Sequence, residues 1–143
     1  MGDLHGTASA RLRADGQRYT TARRAIVDVL EQADGPLCIP QLLDGRADLA
    51  QSSAYRNLAV LEQAGVVHRI VTNDEFARFE LAEDLTEHHH HLICSRCGAV
   101  DDFTVSPQVE GQLARALGRV AAKHRFRTAS HRLDLVGTCS RCA

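Results

Sequence analysis

Two pairs of cysteines constrain the fold of this chain more than any other feature of its 143 residues. Each pair has the C-x-x-C spacing, in which a tight turn directs two thiolates at one ion, and Gly98 relieves the crowding after the first pair. The pairs are Cys94 with Cys97 and Cys139 with Cys142. Two such pairs, separated by a domain-sized stretch, match the ligands of a closed tetrahedral zinc site. We therefore predict structural zinc that joins the start of a second domain to its end.

Four consecutive histidines precede the first cysteine pair and offer metal ligands of another type. Side chains alternate across a β-strand, so a strand here places His89 and His91 on one face and His88 and His90 on the other. One short run could therefore supply ligands to two separate metal sites. The alternatives are an exposed polar strand or an expression tag, but tags lie at termini and this run adjoins a cysteine pair.

Composition limits the classes of function. Hydrophobic residues make up 44% of the chain, which is enough for a real core in one domain or two small ones. The formal charge of -1 excludes a broadly cationic nucleic-acid binder, so any DNA contact must come from a local patch or from metal that offsets acidic ligands. The sequence shows no signal peptide and no long apolar run, and we expect a cytoplasmic protein with no membrane segment. Cysteines there are zinc ligands more often than disulfides, and Cys38 is expected to be an inert buried thiol.

The first half of the chain predicts four helices. The first is short and amphipathic, the second is capped by Thr20 or Thr21, and the last is capped by Ser52 and stopped by Gly65. Their expected ranges are 4–14, from 20 or 21 to 33, 39–43 and 52–64. The last three follow one another closely, which predicts a helix-turn-helix.

The last of these helices has one apolar and one polar face. Ala54, Leu58 and Leu61 recur at helical spacing and are expected to face the core. The polar residues near its start are Ser52, Ser53, Tyr55, Arg56 and Asn57. Arginine and asparagine can bond base edges, and hydroxyl groups can reach phosphates, so this face suits a DNA groove. The alternative is an ordinary solvated helix face.

Strands dominate the chain after Gly65. The runs 66–71 and 76–81 are joined by Thr72-Asn73-Asp74-Glu75, a hairpin that would serve as the wing of a winged helix. The acidic stretch 82–87 is the expected hinge between a first domain, 1–81, and a second domain, 88–143. In the second domain we expect the histidine strand, a strand at 99–103, a helix from Pro107 to Lys123 and a final strand at 129–137.

With Tyr55-Arg56 in the last helix of the first domain, a wing, the run H-H-H-H-L-I-C-S-R-C-G and a terminal C-x-x-C, the chain resembles the ferric uptake regulator (Fur) family of bacterial metal-responsive repressors. The resemblance covers roughly residues 11–142. It implies an α+β fold, in which a winged helix-turn-helix domain precedes a small α/β dimerisation domain. It also implies a homodimer that binds a palindromic operator in double-stranded DNA. In that family metal fixes the angle between the domains, and the dimer can then grip the operator.

The resemblance further implies roles for single residues. The four cysteines match the structural zinc ligands. The regulatory metal site matches four residues, and a further site in the dimerisation domain matches four others. These are His68, Glu80, His89 and His91 for the first, and His88, His90, Glu110 and His131 for the second. Arg23 is expected to hold phosphate beside the DNA-binding helix.

The expected regulatory site favours zinc. His68 lies where zinc-sensing members of the family place a histidine or an aspartate, and three imidazoles with one carboxylate suit tetrahedral zinc. The interpretation is therefore a zinc-sensing repressor of metal uptake genes and not an enzyme. An iron-, manganese- or peroxide-sensing repressor is the alternative within the family, with oxygen supplied by Asp101 or Asp102. Alternatives of another class are a zinc hydrolase, against which no H-E-x-x-H appears, and a zinc-dependent protein-binding adaptor.

Overall fold

The computed structural model describes residues 3–72 and 76–143, and these residues form an α+β fold with two separate small sheets. In chain order the helices and strands are α1 (Leu4–Ala14), α2 (Thr21–Gln32), α3 (Ile39–Leu43), α4 (Gln51–Gln63), β1 (Val67–Ile70), β2 (Arg78–Leu81), β3 (His90–Cys94), β4 (Val100–Phe103), α5 (Pro107–Lys123) and β5 (Asp134–Gly137). A 3₁₀ turn at Glu83–Leu85 lies between β2 and β3, inside the expected hinge. No helix among the described residues is both long and apolar enough to cross a lipid bilayer.

A side-chain cap is present at the start of α2 but absent at the start of α4. The Thr20 hydroxyl accepts a hydrogen bond from the Arg23 N–H at 3.2 Å and caps α2, as the sequence predicts. The prediction that Ser52 caps α4 is wrong, because α4 begins one residue earlier and Ala50 occupies the cap position without a side-chain hydrogen bond. Ala54, near the start of the helix, is buried, as the predicted apolar face requires. At the other end Gly65 adopts a φ of 79°, which ends α4 as expected.

The first half of the chain holds the hydrophobic core. Helices α1, α2 and α4 pack with the antiparallel pair β1–β2 around fully buried side chains, among them Leu12, Ile26 and Leu58. Each such side chain contributes about 1.5–3 kcal/mol by burial. The strands are shorter than the sequence predicts, and the tip of the expected wing, 73–75, lies outside the described residues.

The second sheet has the strand order β4-β3-β5, with the histidine strand in the centre. Strand β3 is antiparallel to β4 and parallel to β5, and α5 provides the long crossover that a parallel pair requires. Within 88–143, all of which the structure describes, Cys94 and Val100 are the only buried apolar residues. The large apolar side chains of this half that are exposed are Leu92, Val109, Leu117, Val120, Phe126, Leu135 and Val136. This half therefore has little hydrophobic core of its own.

Polar contacts fix the 3₁₀ turn against the first half of the chain. The Arg11 guanidinium of α1 forms a salt bridge with Asp84, with one N–O distance of 3.3 Å. The same guanidinium donates to the carbonyl of Gly65 at 2.7 Å. Arg11 thus connects the turn to α1 and to the end of α4.

Candidate metal centres and nucleic-acid interface

The four cysteines come together as the sequence predicts, and we call them the cysteine site. Their sulfur atoms lie within 4.8 Å of one another, with Cys97 and Cys139 at 3.8 Å. A tetrahedral zinc ion with Zn–S bonds of about 2.3 Å places its sulfur ligands about 3.8 Å apart, which the Cys97–Cys139 distance matches, so the site is close to the size that zinc requires. The first pair lies at the end of β3 and the second pair follows β5, which is the neighbouring strand. Zinc here would join the two strands beyond their last backbone hydrogen bonds.

Backbone hydrogen bonds prepare the cysteine site for a cation. The backbone N–H groups of Cys97 and Cys139 donate to the Cys94 sulfur at 3.5 and 3.4 Å. These donors lower the pKa of Cys94 to about 6, which favours the thiolate that zinc requires. The thiol of Cys142 has a pKa raised to about 12, chiefly because it donates a hydrogen bond to Cys139. Binding of zinc by all four cysteines as thiolates would therefore release the Cys142 proton.

A second group, which we call the hinge cluster, consists of Glu80, His89, His91 and Asp102. Glu80 lies on β2, whereas the other three lie on β3, just before it, or on β4. The Glu80 carboxylate is 2.9 Å from His89 Nε2 and 3.0 Å from His91 Nε2. Asp102 lies further away, at 3.6 Å from His91 Nε2. Two nitrogen and two oxygen ligands from both halves of the chain therefore converge on one point.

Surrounding groups orient both imidazoles of the hinge cluster. His89 Nδ1 lies 2.8 Å from the carbonyl of Glu87, and His91 Nδ1 lies 3.5 Å from the Asp134 carboxylate. Such contacts at the far nitrogen hold each ring with Nε2 directed toward Glu80, where a metal ion would bind. Burial lowers the pKa of both histidines, but hydrogen bonds with Glu80, and with the Glu87 carbonyl for His89, outweigh it and raise both pKa values. Burial opposes ionisation of Glu80 as well, yet its hydrogen bonds with His91 and His89 lower its pKa.

The structure brings three of the four expected regulatory residues together and places the fourth, His68, nearby. His68 pairs with Glu80 across β1 and β2, and it lines a cavity of about 370 Å³ together with Glu80, His89 and His91. Its ligand atoms are not in the hinge cluster. Burial, and next the positive charge of Arg132, lower the pKa of His68 and keep it neutral, as a metal ligand must be.

Asp102 enters the hinge cluster because of strand register. It lies opposite His91 in the antiparallel β3–β4 pair, so the two side chains share a face. The sequence offered Asp101 and Asp102 equally, and only the register decides between them. Burial raises the pKa of Asp102.

A third group, which we call the helix cluster, contains the four residues implied for the further site. His88, His90 and His131 all direct Nε2 at Glu110, which lies on α5, at 2.9, 2.8 and 2.7 Å. Hydrogen bonding, first with His90 and then with His131 and His88, lowers the pKa of Glu110 to about 2. The Nε2 atoms of His88 and His131 lie 3.2 Å apart, close to the ligand spacing of about 3.3 Å in tetrahedral zinc. Three imidazoles and one carboxylate fit zinc well.

The expected DNA-binding residues lie on one exposed surface. Ser52, Tyr55 and Arg56 are exposed on α4, opposite its buried face, and Ser53 and Asn57 are half-buried beside them. Arg23, on α2, donates from Nε to Asn57 Oδ1 at 3.0 Å and from Nη1 to the Arg18 carbonyl at 2.7 Å. Arg23 therefore holds Asn57 in place and joins the two helices at this surface.

Comparison with known proteins agrees with this geometry. A sequence model of the ferric uptake regulator family matches residues 14–136. The ferric uptake regulation protein of Rhizobium leguminosarum bv. viciae is 32% identical over 141 residues, which are 96% of this chain and 94% of that protein. The peroxide operon regulator of Bacillus subtilis is 30% identical over 138 residues, 92% of this chain and 88% of that protein.

Solved structures give the same answer. The Helicobacter pylori ferric uptake regulator, whose structure reveals three functional metal binding sites, superimposes with a TM-score of 0.73 at 26% identity and covers 99% of this chain and 97% of that one. Because the family match spans most of the sequence and the relatives align over nearly their whole length, this chain belongs to the ferric uptake regulator family.

Proposed function

We propose that this protein is a zinc-sensing transcriptional repressor in which the hinge cluster, completed by His68, is the sensor. Membership of the family makes the chain a metal-responsive transcription regulator and not an enzyme. The observation that carries the proposal is the origin of the ligands. Glu80 and His68 belong to the β1–β2 pair, whereas His91 and Asp102 belong to the second sheet and His89 directly precedes its central strand.

The mechanism follows from this division of ligands. A bound ion supplies positive charge that Glu80 and neutral imidazoles can share. Glu80 and His89 can both contact it only while the two halves of the chain lie together, as they do in this structure. Occupancy therefore favours the closed arrangement, to the extent that closed and open arrangements differ in metal affinity. In the closed arrangement α4 has a fixed position relative to the second half.

The active form in this proposal is a homodimer on a palindromic operator. The second half exposes a series of apolar residues on β3, β5 and α5, and α5, which is described throughout, has no buried residue. Exposed apolar surface on this scale is typical of an interface. A twofold dimer through this half would present two copies of α4 to two half-sites of opposite orientation. The residues proposed to contact DNA are Arg23, Ser52, Ser53, Tyr55, Arg56 and Asn57.

Zinc is the proposed signal because several histidines line the cavity beside Glu80. His68, His89 and His91 all line it, and imidazole nitrogen suits zinc. Ferrous iron or manganese is the second candidate, and the position of Asp102 favours it, since a second carboxylate near the ligands adds the oxygen that these metals accept. The cysteine site holds structural zinc in either case.

The test is the metal response of His89→Ala. Operator DNA is first selected from random sequences with protein loaded separately with zinc, ferrous iron and manganese, and binding is then measured with and without each metal. We expect the variant to stay folded and dimeric, to keep its structural zinc and to bind weakly whether or not zinc is added. His124→Ala, which removes an exposed histidine at the end of α5, is the matched control.

Two outcomes would change the proposal. A normal zinc response in His89→Ala would overturn the assignment of the sensor. A response to ferrous iron but none to zinc in the unmodified protein would keep the site and replace the metal.

A further inference from the structure

His88 lies between two carboxylates that belong to different parts of the molecule. Its Nε2 faces the helix cluster, at 2.9 Å from Glu110 Oε1. Its Nδ1 points the opposite way and lies 2.7 Å from Glu83 Oε1. Glu83 is the first residue of the 3₁₀ turn, within the expected hinge. One imidazole thus connects a metal cluster of the second half to the segment between the halves.

The chemistry of a metal-bound imidazole gives this contact a role. When Nε2 is a ligand, the proton of a neutral ring lies on Nδ1, which then donates to Glu83. A carboxylate acceptor at that nitrogen fixes the tautomer, holds the ring plane and makes the ligand more basic. His90 offers a contrast within the cluster, because its buried Nδ1 has no hydrogen-bond partner among the described residues.

The 3₁₀ turn connects the contact between His88 and Glu83 to the first half of the chain. Asp84, the neighbour of Glu83, forms the salt bridge with Arg11 of α1. The turn itself is closed by hydrogen bonds from the Leu85 N–H to the Ala82 carbonyl at 2.9 Å and from the Thr86 N–H to the Glu83 carbonyl at 3.1 Å. A constraint on Glu83 therefore limits where the Asp84 carboxylate can lie.

We propose that Glu83 is a positioning residue for the helix cluster, and that metal at this cluster orders the 3₁₀ turn and strengthens the docking of α1 against it. The inference rests on the proposed function only in that it takes the helix cluster to bind metal. It adds a route, from His88 through Glu83 and Asp84 to Arg11, by which the helix cluster acts on the DNA-binding half without sharing a ligand with it.

The first test measures zinc affinity at the helix cluster. All proteins carry His89→Ala, so that the hinge cluster does not compete, and zinc is titrated against a chelator after the structural zinc is counted. We expect Glu83→Ala to weaken this binding by about 10- to 100-fold, the usual effect of losing such a partner. Glu83→Gln should lose less, because its amide oxygen still accepts the Nδ1 proton. Circular dichroism checks that the variants are folded.

Glu87→Ala is the matched control for charge. The substitution removes a carboxylate from the same segment. Glu87 is exposed, and no described residue bonds to its carboxylate. We expect its zinc affinity to equal that of the His89→Ala parent. Equal zinc affinity in Glu83→Ala and the parent, or an equal loss in Glu83→Ala and Glu87→Ala, would overturn the positioning role. Failure of the parent to bind zinc at the helix cluster would overturn it too.

The second test measures hydrogen exchange with and without saturating zinc. In the parent, zinc should slow exchange of the amides of Leu85 and Thr86 and of α1. In Asp84→Asn zinc should bind with unchanged affinity and still slow the turn, but no longer slow α1. If zinc does not change the exchange rate of the α1 amides in the parent, the proposed route through Asp84 is wrong. Neither test uses operator DNA, so its failure is distinguishable from failure of the His89→Ala test of the sensor.

Discussion

Replacing Arg56 by alanine should remove a DNA contact and leave the protein otherwise intact. Arg56 is exposed on α4, next to the half-buried Asn57 and opposite the buried Leu58. Among the described residues none bonds to its guanidinium, so the change breaks no internal contact. Alanine is also the strongest helix former, so α4 should not lose stability. Any loss of operator affinity then reports the interface alone.

The twofold symmetry of the proposed complex sets the size of the effect. One bidentate contact between arginine and guanine is worth about 1–3 kcal/mol of discrimination. A dimer on a palindrome makes this contact twice, which gives about 2–6 kcal/mol. At about 1.4 kcal/mol per factor of ten, the operator affinity should fall by between about 30-fold and about 10⁴-fold.

Fluorescence anisotropy with a labelled operator and metal-saturated protein would measure this loss. Arg56→Lys separates the two ways in which Arg56 could act, because lysine keeps the charge but not the bidentate geometry. If Arg56 reads a base, lysine should lose most of the affinity; if it only neutralises phosphate, lysine should retain it. Arg13→Ala, which removes an exposed arginine from α1, controls for net charge. If the operator affinity of Arg56→Ala is within twofold of that of the parent, α4 is not part of the DNA interface.

Three further changes test the other sites. Cys97→Ser should lower zinc content by one ion per chain and unfold or monomerise the protein, since structural zinc contributes on the order of 10 kcal/mol of folding free energy in small domains. Metal analysis and gel filtration check this, and full zinc content would contradict it. Leu135→Asp places a charge on an apolar side chain that is 53% exposed, and it should yield monomers in sedimentation, whereas a stable dimer would exclude this face. Zinc affinity at the hinge cluster should fall as pH is lowered, because protons compete with zinc for Nε2. The fall should begin at a pH above about 6.5, the ordinary pKa of histidine, because the pKa values of His89 and His91 are raised. Isothermal titration between pH 6 and 8 checks this, and an affinity independent of pH would refute it.

The same raised pKa values give the metal-free protein an opposite dependence on pH. A histidine that is more basic in the folded state stabilises the fold below its unfolded pKa, and this contribution disappears as pH rises through the raised value. The lowered pKa of Glu80 stabilises the fold above its unfolded pKa and is lost as pH falls through the lowered value. Protons and metal therefore hold the same contact between the two halves, in different pH ranges.

Local patterns in the sequence predicted local structure well. Alternation along the histidine run separated its members into two clusters correctly, although β3 includes only His90 and His91 of the four. The bounds of α5 were correct, because Pro107 suits the first turn of a helix, and in the structure the Ser106 hydroxyl caps this helix by accepting from the Val109 N–H at 3.2 Å. In α4 the predicted start was one residue late, and the helix begins at Gln51 without a side-chain cap.

Residues that meet through tertiary structure were harder to predict. Asp102 joins the hinge cluster only because β4 pairs with β3 in one register, and the sequence does not state the register. Glu83 contacts His88 only because the hinge folds into a 3₁₀ turn, whereas its composition suggested a plain acidic connector. Spacing along the chain reveals ligands that neighbour one another, but it does not reveal which distant group completes their coordination.

The distribution of ligands across the hinge determines how large the metal switch can be. His89, His91 and Asp102 all stay together on the second half when the halves separate, so an ion would lose only Glu80 on opening unless His68 is also a ligand. A shift from 1:99 to 99:1 needs a difference in affinity of about 10⁴ between the two arrangements, and a second ligand from the β1–β2 pair would widen that difference. His68→Ala should therefore leave zinc binding largely in place, while the ratio of operator affinities with and without zinc becomes smaller. If the ratio measured at saturating zinc does not change, His68 is only part of the cavity wall, and Glu80 alone carries the coupling between the two halves.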